Sequence, residues 1–167
     1  LVNVSFFNYR DSSLGPYNEV SLSTLIYPNK FDRPTIYLPQ FLKKGANWKI
    51  GSFIHNLPVT TEKSRIAGDE VWGLPKFVTE IPVGLKKNNF SGAVKDPQTK
   101  KDIVSLSGNF KKSFRWKAFD LVLFSNHRDT LLKTIVDIDS IYDCALKPDM
   151  TLKIGVSDHD MAENLRA

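Results

Sequence analysis

LVNVSFFNYRDSSLGPYNEVSLSTLIY, residues 1–27, reads as two strands joined by a turn. Val2, Val4 and Phe6 are apolar at alternate positions, the period of two that sends successive side chains to opposite faces of a strand. Asp11 to Pro16 is built from residues that favour turns, and Tyr17 to Tyr27 then resumes as a second strand rich in Val, Leu and Ile. The pattern continues down the chain. Further strands are expected at Thr35–Leu38, Trp48–Leu57, Lys76–Val83, Asn89–Val94, Asp102–Asn109, Phe119–Phe124, Ile135–Tyr142 and Thr151–Val156. Short strands separated by Gly, Pro, Asn and Asp predict a mainly β fold of the sandwich or barrel kind.

Two segments break this rhythm and read as helix. Thr60 to Trp72 is the longer, with Thr60 or Thr61 able to cap its start. Gly73 suits the left-handed conformation at its end, and Pro75 lacks an amide hydrogen and pushes Leu74 toward an extended shape, so the helix must stop before Lys76. A second, shorter helix is expected to include His127 to Lys133, with Leu131 and Leu132 packing inward.

The bulk properties narrow the class. With 167 residues, 41% of them hydrophobic, the chain is long enough for one domain with a sizeable core, expected over residues 1–167. Its formal charge of +5 permits an anionic partner, and lysines do gather between Lys86 and Lys117. They lie among turn residues such as Asn88, Asp96 and Pro97 without any nucleic-acid motif, so they read as solvated hairpin surface and no nucleic-acid partner is expected. Cys144 is the only cysteine, which rules out an intrachain disulfide and fits a reducing compartment. No stretch approaches the roughly 20 apolar residues of a membrane helix. The expected location is the cytoplasm, in soluble form.

Trp72, Gly73, Leu74, Pro75, Lys76 and Phe77 place an amine just after a helix stop, flanked by large apolar groups. An ordinary lysine holds only about one part in 2,500 as free amine at neutral pH. Desolvation favours the neutral form, and making that form common takes about 5 kcal/mol of differential solvation, which an apolar pocket can supply. Composition alone favours the plainer reading, a solvated lysine at a strand start.

Gly68, Asp69, Glu70, Val71, Trp72, Gly73, Leu74, Pro75 and Lys76 resemble a segment of the acetoacetate decarboxylase family in which Gly, Glu, Pro and Lys recur at this spacing. Leu14, Gly15, Pro16, Tyr17, Asn18 and Glu19 resemble the family's Leu-Gly-x-Tyr-x-Glu run, and Ser52 to His55 follows in the expected order. The resemblance spans roughly Leu1 to Val83 and is thinner beyond, where Leu152 to Ile154 is similar to a later strand.

The resemblance implies a curved antiparallel sheet forming a barrel-like or cone-like pocket. It implies a decarboxylase that needs no metal or cofactor and acts on a short 3-oxo acid through a Schiff base on Lys76. Glu19 would face the substrate and position water or shuttle a proton. Tyr17, His55, Trp72 and Leu74 are expected around the pocket, His55 as a hydrogen-bonded structural residue and not as a proton donor. A homo-oligomer is implied by analogy, as is the lack of the family's N-terminal segment.

Three departures accompany the resemblance. Phe77 stands where the decarboxylase proper has a second lysine, Val4 where it has a glutamate, and the arginine of the N-terminal segment has no counterpart. A sibling aldolase, dehydratase or lyase on a larger oxo acid is therefore an alternative, as is a β barrel that binds a small ligand without catalysis. Asp158, His159 and Asp160 carry metal-binding groups, but adjacent side chains of an extended segment point in opposite directions, so no metal site is expected.

Overall fold

A computed structural model describes residues 2–28 and 49–166; the strand expected at Thr35–Leu38 lies outside them. The first two strands form as the alternation predicts. β1 (Val2–Tyr9) and β2 (Tyr17–Ile26) pair antiparallel in unbroken register, from Val2 opposite Thr24 to Tyr9 opposite Tyr17. Their turn closes with the Gly15 amide on the Ser12 carbonyl at 2.9 Å, and Gly15 sits at φ +85°, a conformation glycine adopts without strain.

β2 also pairs antiparallel with β3 (Gly51–Val59), but the register shifts between Leu22 and Ser23, whose partners are Asn56 and Ile54. The extra residue on β3 is His55, the mark of a β-bulge. β3 then takes two parallel neighbours, β4 (Lys76–Val78) and β9 (Leu121–His127), and β9 pairs with β10 (Thr130–Val136). This six-stranded sheet is mixed, not wholly antiparallel, and among the described residues it stays open between β1 and β10. The expected barrel closure is thus corrected to an open curved arrangement.

A second sheet orders β12 (Asp149–Ile154), β7 (Asp102–Asn109), β6 (Asn89–Lys95) and β5 (Val83–Lys86), and β8 (Phe114–Lys117) pairs with β11 (Ile141–Cys144) as a separate ribbon. The strand expected over Lys76–Val83 is interrupted between β4 and β5, and that over Ile135–Tyr142 between β10 and β11.

The helix expected at His127–Lys133 is also corrected. Those residues form the β9–β10 hairpin, turning through Arg128 at φ +48° and Asp129 at φ +61°, the paired positive angles of a tight two-residue hairpin turn. Leu131 and Leu132 satisfy a strand as readily as a helix, and sheet pairing decides between them. A short helix, α2 (Asp160–Arg166), ends the described chain and buries Met161 and Ala162. Asp160 therefore opens a helix and does not continue an extended run. No helix among the described residues is long and apolar enough to cross a membrane.

The main core lies between the two large sheets. Val20 and Leu22 of β2 meet Ile81, Val94, Ile103 and Val104, with Met161 and Ala162 of α2; Val4, Phe6 and Phe77 pack against them. Burial of each such aliphatic side chain contributes about 1.5–3 kcal/mol. Because strands alternate, fixing Val20, Leu22 and Phe77 in this core sends Glu19, Ser21 and Lys76 to the opposite face.

Candidate active site

That opposite face holds a cavity of about 450 Å³ whose wall includes Tyr9, Tyr17, Glu19, Ser21 and Lys76. Alternation brings Tyr17, Glu19 and Ser21 in from β2. Phe7 and Tyr9 come from β1, where Phe7 pairs with Glu19 and Tyr9 with Tyr17. The Tyr9 and Tyr17 rings stack with centroids 4.5 Å apart.

Lys76 arrives by a different route. Thr61 caps α1 (Glu62–Ile66) by accepting the Ser64 amide at 3.4 Å, and the chain then widens into one π-helical turn, Ala67–Val71. Such turns are frequent at functional sites. Gly73 ends the helix at φ +58°, donating its amide to Asp69, while Leu74 donates to Gly68, both at 3.0 Å. The Ser125 hydroxyl of β9 holds the Trp72 carbonyl at 3.1 Å, and β2 is tied to the helix start by the Asn18 amide donating to the Thr60 hydroxyl and the Thr60 amide donating to the Asn18 carbonyl. The expected stop before Lys76 forms, and β4 begins at the lysine itself.

The lysine stem crosses Gly68. A Cβ at that glycine would lie 2.3 Å from Lys76 Cε, so only glycine leaves room for the side chain on its way to the cavity. There the Nζ donates to Glu19 Oε2 at 2.6 Å and to Ser64 Oγ at 3.2 Å. The lysine side chain is 4% exposed and the glutamate 9%, and Ser64 is fully buried. A buried pair of this kind is costly to break, by about 3–5 kcal/mol, because the survivor becomes an uncompensated charge.

Two phenols complete the polar wall. Tyr9 interacts with Tyr17 and Glu19, and Tyr17 with Ser64 as well. Burial, and then the charge of Glu19, holds the Tyr9 phenol well above its ordinary range; the same two causes raise Tyr17. Both therefore stay protonated as donors at neutral pH. The Tyr17 ring centroid lies 5.9 Å from the Lys76 nitrogen.

The remaining wall is mostly apolar. Ile54 and Leu57 of β3 reach it although three residues apart, because the bulge at His55 resets the alternation. Leu121 and Leu123 come from β9, Ile135 from β10, and Trp72 and Leu74 from the helix end. Among the described lining residues Lys76 is the one cation, and Glu19 and Asp137 are acidic.

Of the residues singled out from sequence, Lys76, Glu19, Tyr17, Trp72 and Leu74 come together here. His55 does not. Its ring nitrogen Nε2 lies 2.8 Å from Thr24 Oγ1 and its ring meets Phe53 edge-on, so the expectation of His55 at the pocket is corrected, the bulge being the reason. Phe77 points into the core and lies tilted against His159, opposite Lys76 as alternation requires. Sequence reasoning missed Tyr9 and Ser64. The odd-numbered parity of β1 was a signal for Tyr9, whereas nothing in the order of residues pairs Ser64 with Lys76.

A family model described as acetoacetate decarboxylase (ADC) matches residues 1–119. Among solved structures, one from structural studies of acetoacetate decarboxylase is similar at TM-score 0.61 and 14% identity, covering 96% of this chain and 63% of that one. The acetoacetate decarboxylase of Legionella pneumophila subsp. pneumophila str. Philadelphia 1 follows at 0.55 and 14%, covering 92% and 59%. An acetoacetate decarboxylase-like enzyme from Sphingomonas wittichii RW1 stands at 0.55 and 15%, covering 91% and 60%. The chain thus spans about three-fifths of the length of these proteins, and at such identity the likeness is one of fold. No curated protein sequence matches it significantly.

Proposed function

The chain belongs to the acetoacetate decarboxylase family, and from that premise we propose that it decarboxylates a 3-oxo acid through a Schiff base on Lys76. The observation that carries the proposal is the Lys76 amine, 4% exposed at a cavity wall and 2.6 Å from a carboxylate that can take its proton. Once Glu19 accepts that proton, the nitrogen lone pair attacks the substrate ketone. Glu19 then returns the proton to the carbinolamine hydroxyl, which leaves as water and gives a cationic imine. Carbon dioxide departs, its bonding electrons pass into the iminium as an enamine, and a proton delivered to carbon followed by hydrolysis frees the ketone and Lys76.

Ser64 supports this role by holding the amine in place, and the Tyr9 and Tyr17 hydroxyls supply donors beside Glu19. The apolar wall supports it too, since a carboxylate moved into a dry setting loses hydration that carbon dioxide does not need.

One observation favours a second reading. With Lys76 as the one cation among the described lining residues, a substrate carboxylate has no second cation to meet, so an enamine that makes or breaks a carbon–carbon bond on an uncharged carbonyl compound is the alternative. Carbon dioxide measured against ketone formed from 3-oxobutanoate separates the two. The proposal expects equal amounts, lost in Lys76→Met; carbon dioxide release that persists in that variant contradicts it. Self-association is part of the same proposal, and light scattering that returns the 18.9 kDa of one chain contradicts that part.

A further inference from the structure

Resting on the imine reading, we infer that the carbonyl compound taken by this site carries an uncharged apolar tail, longer than that of a four-carbon oxo acid. The cavity is divided by chemistry. Tyr9, Glu19 and Ser21 line it from β1 and β2 and Lys76 lines it from β4, while Ile54, Leu57, Leu121 and Leu123 line it from β3 and β9, with Leu57 beside Lys76 in register. A carbonyl carbon bonded to Lys76 therefore has beside it an aliphatic surface that offers its substituents no hydrogen bond.

Volume gives the tail its length. The cavity holds about 450 Å³. A four-carbon oxo acid has seven heavy atoms and fills the space of about three or four waters, at roughly 30 Å³ each. That leaves room for roughly twenty further heavy atoms by the same measure. Cavities of about 300–1,000 Å³ enclose ligands of that larger size. Trp72 and Ile135, 44% and 40% exposed, line this cavity as apolar groups open to solvent, surface that a long tail would cover. Asp137 also lines the cavity, so a tail ending in a carboxylate meets like charge.

The test uses methyl ketones, which need no decarboxylation. The protein is titrated with ketones of three to eleven carbons in the presence of cyanoborohydride, which delivers hydride to the imine carbon after the Lys76 amine has displaced the carbonyl oxygen as water. The adduct on the Lys76 peptide is then quantified by mass. The half-saturating concentration is expected to fall about three- to fourfold for each methylene buried, then level off when the cavity is full. Leu123→Trp should flatten the gradient, and a keto acid of equal length with a terminal carboxylate should need at least about tenfold more for half-saturation. Equal half-saturation for acetone and a nine-carbon ketone overturns the tail while leaving the imine standing, and so does a terminal carboxylate without penalty. No adduct with any ketone overturns the imine and the tail together.

Discussion

Glu19 and Asp96 are both buried carboxylates, and each has a side-chain hydrogen-bond partner at 2.6 Å, but they do opposite things. Asp96 accepts from the Ser157 hydroxyl and from the Gln98 and Thr99 amides at 2.8 and 3.0 Å. It pins the loop between β6 and β7 to the approach to α2. All three donors are neutral and fixed by the fold. Glu19 shares its partner with the interior of a cavity, and that partner is an amine that can form a covalent bond. A hollow of about 410 Å³ also lies beside Asp96, so volume does not distinguish the two places. What distinguishes them is a nucleophile facing an apolar wall.

The largest effect that tests this contrast is at Lys76. Lys76→Met is expected to reduce turnover by at least about 10³-fold and to lower stability by about 3–5 kcal/mol, because Glu19 is left as an uncompensated buried charge. Replacing Glu19 by Leu in the same variant should recover much of the stability and none of the activity. Urea unfolding and a turnover assay read both, and a single variant as stable as the parent would remove the buried pair from the account.

Gly68→Ala comes next. A methyl group 2.3 Å from Lys76 Cε must displace the stem, and an ångström at a reacting atom can cost about 10²-fold in rate. Overpacking should lower stability by only about 1–3 kcal/mol. Unchanged turnover would mean that the amine does not react from this position.

Ser157→Ala tests the other side. Turnover should stay within about twofold of the parent, while the unfolding midpoint falls and acid sensitivity changes. The Ser157 hydroxyl, followed by the loop amides, holds the Asp96 carboxyl below its ordinary range. A carboxylate depressed in the folded state contributes stability that is present above about pH 4 and is lost as pH falls further. The parent should lose stability there more steeply than the variant. A large loss of turnover in Ser157→Ala would erase the distinction between the two carboxylates.

Tyr9→Phe carries the smallest expected effect on the fold. A phenol raised by burial and by Glu19 favours the folded state fully below about pH 10 and withdraws that contribution as pH rises above it. Alkaline unfolding monitored above that pH should be shallower in Tyr9→Phe. Identical curves would place Tyr9 outside the Glu19 network.

Much of the site was legible because alternation is a local rule. Val20 and Leu22 in the core put Tyr17, Glu19 and Ser21 opposite them, and Gly73 with Pro75 fixes where the helix must end and Lys76 begin. His55 defeated the same rule, since a bulge depends on the register between two strands and leaves no mark on one of them. The β9–β10 hairpin leaves no turn signal in the sequence, because Arg128 and Asp129 adopt positive φ without the Asn-Gly pair that marks such a turn. Tyr9 and Ser64 join the amine only through pairing and packing across the chain. The parallel neighbours of β3 were equally invisible, because the strand pattern does not reveal direction.

Peptide mass mapping after borohydride reduction with a 3-oxo acid tests the imine on Lys76 itself. A ketone-sized secondary-amine adduct is expected on the peptide that contains Lys76, absent when the oxo acid or the reductant is omitted. An unmodified Lys76 in a protein that still consumes the oxo acid would contradict the imine.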